Sequence, residues 1–217
     1  MRLGRSRRSG EQEPASAAPT PAGPRARGPW DASEKDVSDD PDYLDFGSLL
    51  VRGRPGMKFQ LPPDDEEGSI GSIVVVAEES GLELRAFAAA RSGGVWDEVR
   101  ADLEAEVRRL DGEATEAEGP FGTELHIRVP VTVGGEEGFQ PSRAIGIEGP
   151  RWLLRAMLLG REALEPSDDG PMMDVLRDVV VVRGDEPRAS REPLLLTINA
   201  ELEVAESPAQ EPGPDLH

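Results

Sequence analysis

The chain has 217 residues, of which 37% are hydrophobic and only 4% aromatic, which suits one modest core and excludes several large domains. It contains no cysteine, which excludes a disulfide framework and any thiolate nucleophile or metal ligand. The formal net charge is −19, and residues 28–200 alone hold 18 basic and 36 acidic side chains. Because so acidic a segment repels phosphate backbones, we expect no duplex nucleic acid as a partner.

Residues 1–40 are rich in Pro, Ala, Ser, Gly and Arg and show no hydrophobic periodicity, which predicts a disordered N-terminal arm. No apolar stretch follows its arginines, so the pattern is not that of a secretory signal. No segment approaches the ~20 apolar residues of a spanning helix. We therefore predict a cytoplasmic protein without a membrane span. Trp30 is expected either to dock on its own domain or to contact a partner.

A single folded domain is predicted over residues 41–200, followed by a disordered acidic tail over 201–217. Apolar residues anchor its start, and residues 57–61 alternate as a short strand. Residues 70–77 and 82–88 flank a tight Glu-Glu-Ser-Gly turn, which predicts a β-hairpin.

The clearest element is a helix predicted over residues 95–110. Its apolar residues, including Trp96, recur at helical spacing and form one stripe. Acidic residues fill the first turn and arginines the last, which matches the helix dipole, and Gly112 is expected just past the end.

Three strands are predicted next, over residues 123–131, 139–147 and 152–159. The first two alternate between apolar and polar side chains. The third is apolar on both faces except at Arg155, which predicts a central strand covered on both sides.

The sequence Asp-Asp-Gly-Pro at 168–171 is typical of a helix start. We favour a helix from there through about Val181, with Gly184 just past its end. The four valines at 179–182 keep a strand open as the alternative, because β-branched residues favour strands. Residues 194–198 are expected to add an edge strand.

This order of elements predicts an α+β fold: a mainly antiparallel sheet of about six strands with two helices on one face, and disordered tails at both ends. In outline, the element order is similar to the Mog1/PsbP-like arrangement.

Residues that could carry catalysis are scarce. His126 lies on the polar side of a predicted strand, with no nucleophile-elbow pattern and no phosphate-binding loop elsewhere. The acidic runs at 39–42 and 64–67 lack the spacing of a calcium loop and are interpreted as solvated loops. The Arg-Gly-Asp at 183–185 is interpreted as a helix terminator. We therefore predict no catalytic, cofactor-binding or metal-binding residue and lean against an enzyme.

One set of residues could form a pocket. Arg143, Arg151, Trp152 and Arg155 lie on or beside neighbouring predicted strands. Arginines in so acidic a domain are expected to bind carboxylates of the same chain, but they could instead line an anion or ligand pocket with Trp152 as a wall. The candidate ligand or partner contacts are therefore Trp30, Arg143, Trp152 and Arg155.

Several segments in a fixed order carry a family resemblance. They are Gly-Pro-Trp-Asp at 28–31, Asp-Phe-Gly-Ser-Leu-Leu-Val at 45–51, Phe-Ala at 87–88 with Trp-Asp-Glu-Val-Arg at 96–100, Glu-Gly-Pro-Phe-Gly-Thr-Glu-Leu at 118–125, Gly-Pro-Arg-Trp-Leu-Leu-Arg at 149–155, and the segment 177–187. Together they resemble an uncharacterised family of actinobacterial proteins, domain of unknown function 3710. The resemblance implies an actinobacterial source and a cytoplasmic location, and it implies no activity or cofactor.

Two hypotheses about function follow. The first is a non-enzymatic protein-interaction module with Trp30 and the tails as accessory contacts. The second is a binder of small molecules or anions that uses Trp152 with Arg143 or Arg155. A structure with Trp152 fully packed and both arginines paired to carboxylates would remove the second.

Overall fold

A computed structural model of the chain describes residues 23–63, 69–165 and 167–197, with only the backbone of Val133. The predictions for the outer part of the N-terminal arm, for the acidic run at 64–67 and for the C-terminal tail lie outside the described residues. Within that description, no helix is long and apolar enough to cross a membrane.

The described part of the chain contains eleven strands and three α-helices. The strands are β1 (Trp30–Asp31), β2 (Tyr43–Asp45), β3 (Leu49–Arg52), β4 (Lys58–Gln60), β5 (Ile73–Ala77), β6 (Ser80–Ala88), β7 (Glu113–Gly119), β8 (Gly122–Val133), β9 (Glu136–Gly149), β10 (Trp152–Gly160) and β11 (Val180–Val181). The helices are α1 (Val95–Arg109), α2 (Arg161–Leu164) and α3 (Pro171–Asp178). A short 3-10 helix over Gly23–Arg25 precedes β1.

The main sheet has seven strands in the order β4-β5-β6-β10-β9-β8-β7, and every neighbouring pair is antiparallel. The predicted hairpin is β5 and β6, and the three predicted strands are β8, β9 and β10. The strand β10 lies at the centre, as its two apolar faces predicted, because it must be covered on both sides. The α+β fold class is confirmed.

The edge strand β7 was not predicted. Its sequence Glu-Ala-Thr-Glu-Ala-Glu-Gly carries no large apolar residue, so hydrophobic alternation could not reveal it. Charged side chains are typical of an edge strand, because they discourage pairing with another chain. This strand accounts for the seventh member of a sheet that was predicted to have about six.

Helix α1 confirms the strongest sequence prediction. Val95, Trp96, Val99 and Val107 are buried along its inner stripe. The left-handed residue just after the helix is Asp111, with φ of 54°, and not Gly112. Gly112 is required for a different reason, since a β-carbon there would lie 2.8 Å from the carbonyl oxygen of Arg128.

The prediction that the last helix continues through Val181 was wrong. Helix α3 ends at Asp178, Val179 is already extended (φ −56°, ψ 136°), and β11 begins at Val180. Branching at the β-carbon favours the extended backbone, and all three of these valines are fully buried. Gly184 therefore follows a strand rather than a helix.

A second, four-stranded sheet has the order β1-β11-β3-β2. The strand β11 pairs in parallel with β1 and antiparallel with β3. The backbone N–H of Trp30 donates to the carbonyl of Val179 at 2.8 Å, and that of Ala32 donates to Val181 at 3.0 Å. Residues 23–40, predicted as part of a disordered arm, thus contain a strand. With only two residues, it is too short for a periodic pattern to reveal.

Two clusters of buried side chains lie on opposite faces of the main sheet. Trp152 and Leu154 of β10 belong to the larger cluster, together with the second sheet and α3. Leu153, between them, belongs to the smaller cluster under α1. The helices α1 and α3 therefore cover opposite faces, and the prediction of helices on one face was wrong.

The extended segment near the C-terminus does not form the predicted edge strand in its described part. Leu196 instead makes isolated bridges to Gly47 and Ile70, and Pro193 makes one to Phe87. The segment joins the two sheets, and Leu194 and Leu196 are buried between them.

Candidate functional site

Trp152 is a fully buried core residue and not the wall of an open pocket. Its indole Nε1 donates to Oδ2 of Asp31 at 2.8 Å, and the guanidinium of Arg25 stacks over the ring at 5.2 Å. A β-carbon on Gly149 would lie 2.1 Å from the ring, so the glycine makes room for it.

Arg143 is 2% exposed and forms a two-pronged pair with Glu124, which is equally buried. Its Nε donates to Oε1 at 2.5 Å and its Nη2 to Oε2 at 3.0 Å. Nε2 of His126 lies 2.8 Å from the same Oε1, and Asp168 lies 3.7 Å from Nη2. Since both residues of the pair are buried, the pair satisfies charges that would otherwise be costly to bury.

Arg155 lies on the opposite face of β10 from Trp152, because the two are three residues apart on one strand. Its Nη2 donates to Oε1 of Glu83 at 3.2 Å, and the side chain lines a groove of about 440 Å³ beside α1. Arg85 is its direct neighbour across the strand pair.

The structure does not bring the predicted pocket residues together. Arg143 pairs across from Leu158, at the far end of β10 from Trp152, and Arg155 lies on the other face. With the indole buried and each arginine bonded to a carboxylate, these residues do not form a Trp/Arg ligand pocket. Sequence spacing fixes the face of each residue along one strand, but it does not fix the register between strands.

Trp30 lies in β1 and is partly buried. Its backbone is held by β11, and the ammonium group of Lys35 lies 5.5 Å from its ring centre. This is the position expected for a tryptophan that packs on its own domain.

Other residues considered from the sequence lie in ordinary settings. His126 contacts Glu124 on β8, and its side chain is 39% exposed. In the Arg-Gly-Asp loop, Arg183 donates to the carbonyls of Gly184 and Glu186 while Asp185 extends into solvent. Among the residues that the structure describes, no group of three or more His, Cys, Asp or Glu side chains is placed to hold a metal ion.

Two features that sequence reasoning missed involve the hairpin of β8 and β9. At one end, β7 stops pairing at Arg128 and β10 stops at Ser142. Beyond these points, β8 and β9 continue as a two-stranded ribbon over residues 129–141. We call this segment the ribbon. Residues 134–140 within it are all exposed, and Phe139 is 54% exposed.

At the other end of the hairpin, β8 and β9 separate. Their last pair is Leu125 with Ala144, although β8 begins at Gly122 and β9 continues to Gly149. The side chain of Trp96 lies in the gap between the two strands, and its Nε1 donates to the carbonyl of Thr123 at 2.7 Å. Beside it is a cavity of about 330 Å³, which we call the cleft.

The fold and these surfaces define an α+β protein built on two sheets. The chain matches a family described as "Protein of unknown function (DUF3710)" over residues 28–205, and it belongs to that family. The resemblance seen in the sequence is thereby confirmed. No curated protein matches the chain.

Three solved structures are similar in outline. A Bacteroides thetaiotaomicron VPI-5482 protein has 10% identity and a TM-score of 0.39, with 64% of this chain and 47% of that chain covered. Cyanobacterial PsbP (CyanoP) from Synechocystis sp. PCC 6803 has 13% identity, a TM-score of 0.35, and coverage of 64% and 91%. LpqN of Mycobacterium tuberculosis, described as involved in cell envelope biogenesis, has 13% identity, a TM-score of 0.32, and coverage of 71% and 99%. The chain spans under half of the Bacteroides protein.

Proposed function

We propose that the protein is a non-enzymatic protein-interaction module and that the ribbon is its main contact with a protein partner. The observation that carries the proposal is that β8 and β9 extend past both neighbouring strands with Phe139 exposed. The proposal keeps the expected cytoplasmic location and actinobacterial source, and it does not include duplex nucleic acid as a partner.

Neither neighbouring strand of the sheet pairs with the ribbon, so its support by the rest of the domain is limited. A two-stranded hairpin is only marginally stable in water when no third strand or helix supports it. Val129 and Val131 lie on one of its faces, where Val129 packs against the smaller buried cluster, and Pro130 and Phe139 pair on the other. The guanidinium of Arg128 lies 4.7 Å from the ring centre of Phe139, which is still 54% exposed. A partner that covers these side chains would therefore stabilise the ribbon.

The partner is expected to bind the faces of the ribbon rather than its edges. Pro130 and Pro141 each lack a backbone N–H, which hinders the addition of another strand on either side. Glu136 and Glu137 lie at the tip, and the body of the domain is strongly acidic. We therefore expect a partner whose apolar groove is rimmed by basic side chains, with association that weakens as salt is added.

Site-specific photo-crosslinking in cells tests the proposal. A photoreactive amino acid at position 139 should capture one discrete protein, and the same amino acid at position 195 should not. Leu195 is the matched control because it is 53% exposed but lies outside the ribbon. With the captured protein purified, Phe139→Ala should weaken binding about tenfold and Leu195→Ala should leave it unchanged. Equal capture at both positions, or unchanged affinity of the Phe139→Ala variant, would refute the ribbon as the contact.

A further inference from the structure

We propose that the cleft between the separated ends of β8 and β9 is a binding site for a protonated amine on a short alkyl chain. The cleft lies at the opposite end of the hairpin from the ribbon, so this site stands independently of the proposed protein contact.

The separation of the two strands creates the cleft. Beyond Ala144, β9 pairs only with β10, and β8 before Leu125 pairs only with β7. Trp96 holds the strands apart, because its indole bonds to Thr123 where the neighbouring strand would otherwise pair. The gap is part of the fold, since the Trp96 ring fits beside Gly146 only because glycine has no β-carbon.

Part of the wall of the cleft is apolar and aromatic. Trp96, Phe121 and Ile147 line it, together with the bare backbone of Gly146. A volume of about 330 Å³ is at the small end of the range for ligand pockets, which suits a ligand of a few heavy atoms. Aromatic rings also attract cations, because the face of each ring carries partial negative charge.

The charges around the cleft favour a cation. Among the described residues, two carboxylates line it, those of Glu148 and Asp97. Asp97 is 74% exposed and pairs with Arg100 at 3.0 Å, but Arg100 also pairs with Glu116 at 2.8 Å, so this group of three keeps one negative charge. Both oxygens of Glu148 accept backbone N–H groups at the start of α1, from Gly94 at 2.9 Å and Trp96 at 2.8 Å. Glu148 therefore already occupies the place that an anion would take at this helix end.

Among the residues that the structure describes, one cationic side chain lines the cleft, and it has its own counter-charge. Arg25 bonds through both terminal nitrogens to Glu34, each at 2.9 Å. The N-terminus of α1 carries a partial positive charge of about half a unit, which offsets only part of the negative charge of the carboxylates that line the cleft. Together with the acidic body of the domain, this leaves a negative potential that draws in cations.

Titration of the full chain with n-butylammonium, followed by the amide and indole signals in NMR spectra, tests the proposal. Butanoate, with the same alkyl chain and the opposite charge, is the matched control. We expect saturable shifts at Gly94, Gly146 and the Trp96 indole, with a dissociation constant on the order of millimolar for so small a ligand. Butanoate should produce none of these shifts.

Three variants sharpen the test. Asp97→Asn and Phe121→Leu should each weaken butylammonium binding about threefold, by removing a rim charge and an aromatic wall respectively. Asp102→Asn, on the same helix but outside the cleft, should leave it unchanged. Glu148→Gln should weaken butylammonium binding by more than threefold. If this variant does not fold, the affinities of the Asp97 and Phe121 variants test the proposal. Shifts spread over the whole acidic surface, equal binding of butanoate, or no saturable shift would overturn the proposal.

Discussion

A β-carbon on Gly146 would lie only 1.9 Å from Cδ2 of the Trp96 indole. Gly146 lies in β9 opposite Arg155 of β10, and the missing side chain is the space into which the indole packs. Three residues further along β9, Gly149 has the same relationship with Trp152 on the other face of the sheet, at 2.1 Å. The strand β9 therefore accommodates both buried tryptophans through glycine.

Substitution of Gly146 should destabilise the domain strongly. In Gly146→Ala, the methyl group meets a rigid ring, and relief requires a shift of the helix or the strand, so we expect a loss of about 3 kcal/mol in the free energy of unfolding. Urea unfolding followed by circular dichroism measures it. Gly138→Ala, in the same strand but with no atom near its added methyl, should be neutral or slightly stabilising. Equal effects of the two variants would show that the ring is not the cause.

The hydrogen bond from Trp152 to Asp31 should couple the N-terminal segment to the core. Asp31→Ala leaves a buried indole N–H without its acceptor, which we expect to cost about 1–3 kcal/mol of stability. In a Trp152→Phe background, the same substitution should cost much less, since no N–H remains to be satisfied. A double-mutant cycle from denaturant unfolding measures the coupling. Additive effects would mean that the bond contributes nothing.

The buried pair of Arg143 and Glu124 should be sensitive to the loss of one partner. Glu124→Gln removes the buried counter-charge of Arg143 and leaves only the more distant and 64% exposed Asp168, so we expect a loss of about 3–5 kcal/mol. Glu106→Gln breaks an exposed pair with Arg109 and should cost less than about 1 kcal/mol. Chemical unfolding of both variants makes the comparison. A small effect of Glu124→Gln would indicate that water reaches the guanidinium.

The turn between β9 and β10 should become more stable when its strained residue is replaced. Arg151 has φ of 63°, a backbone conformation that suits glycine, and the polar contacts of its guanidinium are long, at 3.5 and 3.9 Å. We expect Arg151→Gly to stabilise the domain by about 1 kcal/mol, because the steric cost of the β-carbon disappears. Arg151→Ala keeps that cost and should not stabilise. Thermal unfolding distinguishes the two, and a lower melting temperature for the glycine variant would contradict the strain argument.

Local patterns in the sequence predicted the elements that carry strong periodicity. The stripe of α1 and the doubly apolar β10 were placed well because each pattern depends on one segment alone. For the valines at 179–182, the sequence favours a helix through about Val181 and keeps a strand open, because a local pattern does not show that β1 and β3 flank β11. Pairing with distant segments, and not local preference, decides such a stretch.

The predicted site failed for a related physical reason. The pocket hypothesis combines Trp152 with Arg143 or Arg155 because they lie on or beside neighbouring predicted strands. Trp152 and Arg155 are three residues apart in β10, which places them on opposite faces. The cleft and the ribbon depend on where pairing stops, at Arg128, Ser142 and Ala144. No residue type marks such a point, so only the three-dimensional register could reveal it.

The four-stranded sheet places the first strand of the described chain next to the last. Since β11 pairs with both β1 and β3, neither strand has its full set of partners until Val180 and Val181 are in place. On the ribosome, the segment around Trp30 emerges about 150 residues before the strand that holds it, and it must wait in a non-native state until synthesis has passed α3. Completion of this fold is thus a late event in translation, and a ribosome stalled before Val180 would carry a domain that cannot close.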